Sequence, residues 1–195
     1  MAPFRFVRRL FSLLFGAAAS SSPAPQRARR RFTEEELREP LEALAIWIAG
    51  DEPPPRPPDA ADRVERIEAR YGIRIPEDFR RYLLEVCTVA ERMDGETTTW
   101  CGLDGVCSIP DDYDGEITDP AVAAEANAYL FFADYLIWCW AWAVCCSDGP
   151  NRGKVALIGG MPDGFVAGSF TEFVERYLRD PEGMATTFPP GAREA

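Results

Sequence analysis

The segment Tyr71-Gly72-Ile73-Arg74-Ile75-Pro76-Glu77-Asp78-Phe79-Arg80-Arg81-Tyr82-Leu83-Leu84 constrains the fold of this chain more than any other. Proline lacks an N–H and crowds the preceding turn, so Pro76 suits the first turn of a new helix, where that N–H would have no partner anyway. Glu77 and Asp78 then place negative charge at the positive end of the helix dipole. Phe79, Tyr82, Leu83 and Val86 recur at helical spacing and make one apolar face. Upstream, Val64, Ile67 and Tyr71 repeat that spacing, and Gly72 supplies the left-handed residue on which helices end. The spacing predicts two short helices joined by a tight Gly-Ile-x-Ile-Pro connection. Each has an apolar face that demands a second layer.

The residues that follow predict the layer. Thr97–Trp100 and Val106–Ile109 have strand composition around a Gly-Leu-Asp-Gly turn, and Ile109–Glu116 is an acidic, turn-rich loop. Pro120–Tyr129 is alanine-rich and predicts a helix, and Tyr129–Asp134 predicts an apolar strand before an acidic turn. Leu136–Cys145 predicts a further strand, with Trp138, Trp140 and Trp142 on one face and Cys139, Ala141 and Ala143 on the other. Small residues opposite large ones suit close packing of a helix on the small face. The tryptophan stripe reads as core, with an aromatic binding platform as the alternative. Asp148–Gly153 is a turn, Lys154–Ile158 a returning strand, and Ser169 caps a last helix with Glu172 at the capping-box position.

Two appendages precede this body. Thr33 and Glu36 form a capping box with Phe32 ahead of it, opening an accessory helix over residues 33–50 that Pro40 should bend or interrupt. Trp47 and its neighbours then pack on the main domain or on a partner. Residues 51–58 are a stiff proline-rich linker. Residues 1–32 interleave phenylalanine and leucine with arginine, and three readings stay open: a signal-like leader, an interfacial helix giving peripheral membrane contact through residues 1–31, or a disordered tail. The apolar run is too short to span a bilayer. The main domain extends over 59–180, and 181–195 is a loose tail.

Charge and residue usage exclude several functions. The chain carries 21 basic and 32 acidic residues; seven arginines lie in residues 1–32, leaving 14 basic residues and a net charge of −18 for the rest. Such a body argues against nucleic-acid binding, which leaves a basic footprint, and favours a basic protein partner or plain solubility. With no histidine, the commonest general base and metal ligand is missing and Ser/His/Asp or Cys/His catalysis is excluded. Cys101, Cys107, Cys145 and Cys146 are poorly spaced for zinc, so buried thiols are expected and no metal or cofactor is assigned. Asp111, Asp112, Asp114 and Glu116 lack EF-hand spacing. A carboxylate-based hydrolase would need two selected acids, and nothing selects them.

Ile75-Pro76-x-x-Phe79-x-x-Tyr82-Leu83 resembles the opening motif of the SUKH superfamily, which groups fungal cell-wall-synthesis regulators with many bacterial toxin-immunity proteins. Ser169-Phe170-Thr171-Glu172-Phe173-Val174-x-x-Tyr177-Leu178 is similar to its closing motif, so the resemblance spans about Asp59 to Asp180. The family often has Asn-Gly after the second helix, where this chain has Val86-Cys87-Thr88-Val89. The resemblance implies an α+β fold in which N-terminal helices and a C-terminal helix pack on a central, mostly antiparallel sheet. It also implies a non-enzymatic, cytoplasmic protein that binds and neutralises a toxin, with Trp100 and Asp134 near the contact surface in the family arrangement. The acidic charge favours a basic toxin domain, met by the loop acids Asp111, Asp112, Asp114 and Glu116. The alternative is a regulatory or scaffold module associated with a membrane through its N-terminus. The oligomeric state stays open.

Overall fold

The computed structural model describes residues 31–49, 57–94, 98–160 and 162–186. Most of the arginine-rich N-terminal segment, residues 50–56 of the arm and proline run, and the tail from 187 lie outside the described residues.

The arm begins as its sequence demands. Thr33 donates its N–H to Glu36 Oε2 at 2.9 Å, and Glu36 returns its own N–H to Thr33 Oγ1 at 3.3 Å. The helix this box opens is only the 3₁₀ turn Glu36–Arg38; Pro40 then starts a separate helix, α1 (Pro40–Ala49). Proline interrupts because it cannot donate into the preceding turn.

Helices α2 (Ala60–Tyr71) and α3 (Glu77–Glu85) follow, divided by Gly72 in the left-handed conformation (φ 62°). Pro76 sits one residue earlier than expected, as an extended cap before Glu77. Glu68 fixes the corner: it accepts the Ile75 N–H at 2.9 Å and pairs with Arg80 at 2.9 Å. Strands β1 (Arg92–Met93) and β2 (Thr98–Trp100) come next, then two single helical turns, α4 (Ile109–Asp112) and α5 (Pro120–Ala123). Strands β3 (Tyr129–Tyr135), β4 (Trp140–Cys145), β5 (Val155–Ile158) and β6 (Gly164–Ala167) lead to α6 (Phe170–Arg179) and the short α7 (Pro181–Thr186). Ser169 caps α6 by accepting the Glu172 N–H at 3.0 Å.

The fold is α+β. The described strands form one six-stranded sheet in the order β1-β2-β3-β4-β5-β6, antiparallel throughout. Its two faces carry separate cores. Leu130, Phe132, Trp142, Val144, Val155 and Leu157 meet the helices, through Leu44, Val64, Phe79, Tyr82, Phe170, Phe173 and Tyr177. Phe79, Tyr82, Phe132 and Phe170 form a ring cluster with centroids 4.8–5.9 Å apart. Each such fully buried side chain stabilises by about 1.5–3 kcal/mol, so the two motif helices are the anchor of the fold. On the opposite face Tyr129, Phe131, Ala141, Ala143, Cys145, Ala156 and Ile158 are covered by Cys107, Ile109, Val122 and partly buried Tyr113, Ile117 and Ala126.

Three sequence expectations change here. The small face of β4 is covered by the irregular 107–128 segment, and the helices pack on its tryptophan face. The expected strand Val106–Ile109 reduces to one bridge, Ser108 to Leu130, because Ile109-Pro110 starts a helical turn. Pro120–Tyr129 is helical only to Ala123, followed by the 3₁₀ turn Ala126–Ala128, since Tyr129 is drawn into β3.

Candidate protein-binding site

The acidic loop is held at both ends. At its start, Asp111 Oδ2 accepts from Arg70 at 2.8 Å and from the Tyr71 hydroxyl at 2.6 Å, tying α4 to the end of α2. Burial, then this hydrogen bond, push the Tyr71 hydroxyl up to about 12. At its far end, buried Asp163 accepts both the Thr118 N–H (2.8 Å) and the Gly159 N–H (2.7 Å), while its own N–H donates to Thr118 Oγ1 at 3.0 Å. Between these anchors Asp114 and Glu116 are exposed. A loop fixed at both ends presents charge at little entropic cost on binding.

Tyr113 connects this loop to the β3–β4 hairpin. Its ring stacks on Trp138 (6.3 Å, 8°) and lies beside Gly159, which holds a positive φ of 80°. Burial first, then the charges of Asp163, Asp114 and Glu116, raise the Tyr113 hydroxyl above its ordinary value. The hairpin turn is Leu136-Ile137-Trp138-Cys139, not part of a strand as its apolar sequence suggested. Leu136, Ile137 and Trp138 all have positive φ (47°, 55° and 69°). Turning the chain there carries Trp138 to the loop-covered face, away from Trp140 and Trp142. Leu136 and Ile137 are left 45% and 44% exposed.

Two expected contacts are not on this surface. Trp100 is 1% exposed, its ring packed among Tyr82, Phe132 and Tyr177, and its indole N–H donates to Asp94 at 3.0 Å. Asp134 is 3% exposed and accepts the Trp138 N–H at 3.1 Å, so it shapes the turn from inside. Asp111 is committed to α2, and Asp112 sits half-buried in the same helical turn. Of the six, Asp111, Asp114 and Glu116 are exposed, and Asp111 is tied to Arg70 and Tyr71.

Sequence reasoning missed Leu136 and Ile137, because the turn holds no glycine, asparagine or proline. The available signal was Asp134, a short acceptor four residues ahead of Trp138. It also missed Asp94, which accepts from Trp47, Trp100 and Tyr177 together.

Among the described residues no group of three histidine, cysteine or acidic side chains could hold a metal ion, and no helix is long and apolar enough to cross a membrane. Cys101 and Cys146 lie with the helix-side core, Cys107 and Cys145 with the other. Burial raises the thiols of Cys87, to about 12, and of Cys146, away from the reactive thiolate. What the surface offers chemically is fixed negative charge beside exposed aliphatic groups. No protein-family model, curated protein or solved structure matches the chain.

Proposed function

We propose that this protein is a non-enzymatic, SUKH-like binding module that neutralises a basic protein partner by direct stoichiometric association, as an immunity protein does to a toxin. The observation that carries this reading is the anchored loop with Asp114 and Glu116 exposed, next to the exposed hairpin tip. Fixed acidic groups accelerate encounter with a basic surface and make it salt-dependent, while desolvated apolar contacts set the lifetime of the complex. The motifs that carry the family resemblance supply the core: Phe79, Tyr82, Phe170 and Phe173 are each at most 1% exposed. Specificity then belongs to the loop and turn regions around that scaffold.

The test is isolation of the partner with the full chain as bait, followed by measurement of stoichiometry and of the partner's toxicity with and without this protein. A one-to-one complex that abolishes toxicity supports the reading. Recovery of a partner whose activity the complex leaves unchanged contradicts it. The composition of residues 1–31 favours a second reading, a regulatory scaffold held at a membrane by arginine and phenylalanine. Removing residues 1–31 would then release the protein from the membrane fraction; unchanged distribution refutes anchoring.

A further inference from the structure

We infer that the β3–β4 turn is a preformed aliphatic plug, Leu136 and Ile137, that enters an apolar pocket edged by arginine or lysine side chains on the partner. This rests on the binding-module reading above and names the contact that would dominate it.

Three consecutive non-glycine residues in the left-handed region are costly, and a β-branched isoleucine among them is an outlier. The surroundings hold the turn in place. Cys139 donates its N–H to the Tyr135 carbonyl at 2.9 Å, and Trp138 donates to Asp134 Oδ1 at 3.1 Å. Tyr135 and Trp140 stack at 4.7 Å across the base of the hairpin. The Trp138 ring is wedged between Tyr113 at 6.3 Å and the edge of Phe131 at 4.8 Å. All of this support ends in two large aliphatic side chains standing in water. Asparagine or glycine would make the same turn with less strain, so folding alone does not account for the aliphatic pair.

The neighbouring charge selects the occupant. Tyr113, stacked on Trp138, belongs to the loop that carries Asp114 and Glu116, and both acids bear on its hydroxyl. An apolar centre beside fixed carboxylates fits a pocket with a basic edge. A second copy of this chain would bring like charges together, and an anionic bilayer would repel the same rim. Well-packed aliphatic and aromatic anchors surrounded by a polar rim are where binding energy concentrates.

The experiment uses the full-length chain and the protein it captures from its native cells, purified and titrated at several salt concentrations. Leu136→Asn and Ile137→Asn keep residues that tolerate positive φ, so both variants should melt at or above the wild-type temperature. Each should weaken binding by about tenfold or more while the slope of log Kd against log salt stays unchanged. Wild-type affinity in both variants overturns the plug. If they bind normally while Asp114→Lys with Glu116→Lys flattens the salt slope, the plug fails and the acidic-loop reading survives. If the asparagine variants lose binding while the lysine variants do not, the basic edge of the pocket is refuted, which overturns the plug as stated, and the acidic-loop reading falls with it. Failure to capture any protein, or wild-type-only dimerisation or binding to phosphatidylserine/phosphatidylcholine vesicles that the asparagine variants abolish, overturns the plug as stated.

Discussion

Trp47 donates its indole N–H to Asp94 Oδ2 at 2.9 Å, and its ring meets Tyr177 edge-on at 6.4 Å. The same carboxylate oxygen accepts from Trp100 at 3.0 Å and from the Tyr177 hydroxyl, while Oδ1 accepts the Thr98 N–H at 3.1 Å. One acid therefore joins the accessory helix α1, strand β2 and helix α6. The arm is a fixed part of the main domain, and Arg179 reinforces it through an ion pair with Glu34 at 2.9 Å.

Removing that acid should be costly. Asp94→Ala leaves the indole N–H of buried Trp100 and the Tyr177 hydroxyl without this acceptor, and it should destabilise the fold by about 3 kcal/mol or more. Trp47→Phe keeps a ring but loses one charge-assisted hydrogen bond, at about 1–2 kcal/mol. Urea unfolding measures both. Equal midpoints for wild type and Asp94→Ala would show that the junction holds nothing together.

Gly102 should reject a side chain. A Cβ there would stand 2.5 Å from the Val89 carbonyl oxygen and 2.6 Å from the Ala90 carbonyl carbon, both backbone atoms that cannot swing aside. Gly102→Ala should therefore cost about 1–3 kcal/mol through forced backbone shifts. Thermal unfolding checks this, and an unchanged melting temperature would mean the 88–90 segment yields freely.

The Tyr71 hydroxyl should make stability fall at high pH. Its folded value, raised to about 12, lies above the ordinary tyrosine value near 10. Its contribution is thus complete below about pH 10 and is lost as pH rises from there through 12, because the phenolate would be partly buried and would lose its hydrogen bond to Asp111. The group is largely solvent-screened, so the effect is about 1 kcal/mol. Melting temperatures from pH 8 to 11.5 should fall more steeply for wild type than for Tyr71→Phe; parallel curves would contradict the assignment.

Much of the framework was legible because it rests on local chemistry. The Thr33–Glu36 box, the break at Pro40, the left-handed Gly72 and the Ser169 cap are decided within a few residues, and the structure keeps each of them. What sequence could not supply depends on long-range partners. Asp94 draws together residues 47 and 83 positions away, and nothing near it signals that. Trp100 and Asp134 had the residue types of contacts, but their burial is set by strand pairing with Ala133 and Ala141. Leu136–Cys139 has strand composition, and the turn there is imposed by Asp134 and by the pairing of Tyr135 with Trp140.

The salt dependence of binding reports on the acidic loop itself. Wild type and the Asp114→Lys/Glu116→Lys double variant would be titrated against the purified partner over a range of salt concentrations. Encounter driven by the anchored acidic loop predicts wild-type affinity that falls steeply with salt, and a variant that binds at least tenfold more weakly at low salt with a flatter slope. Identical affinities and slopes for the two proteins would contradict it.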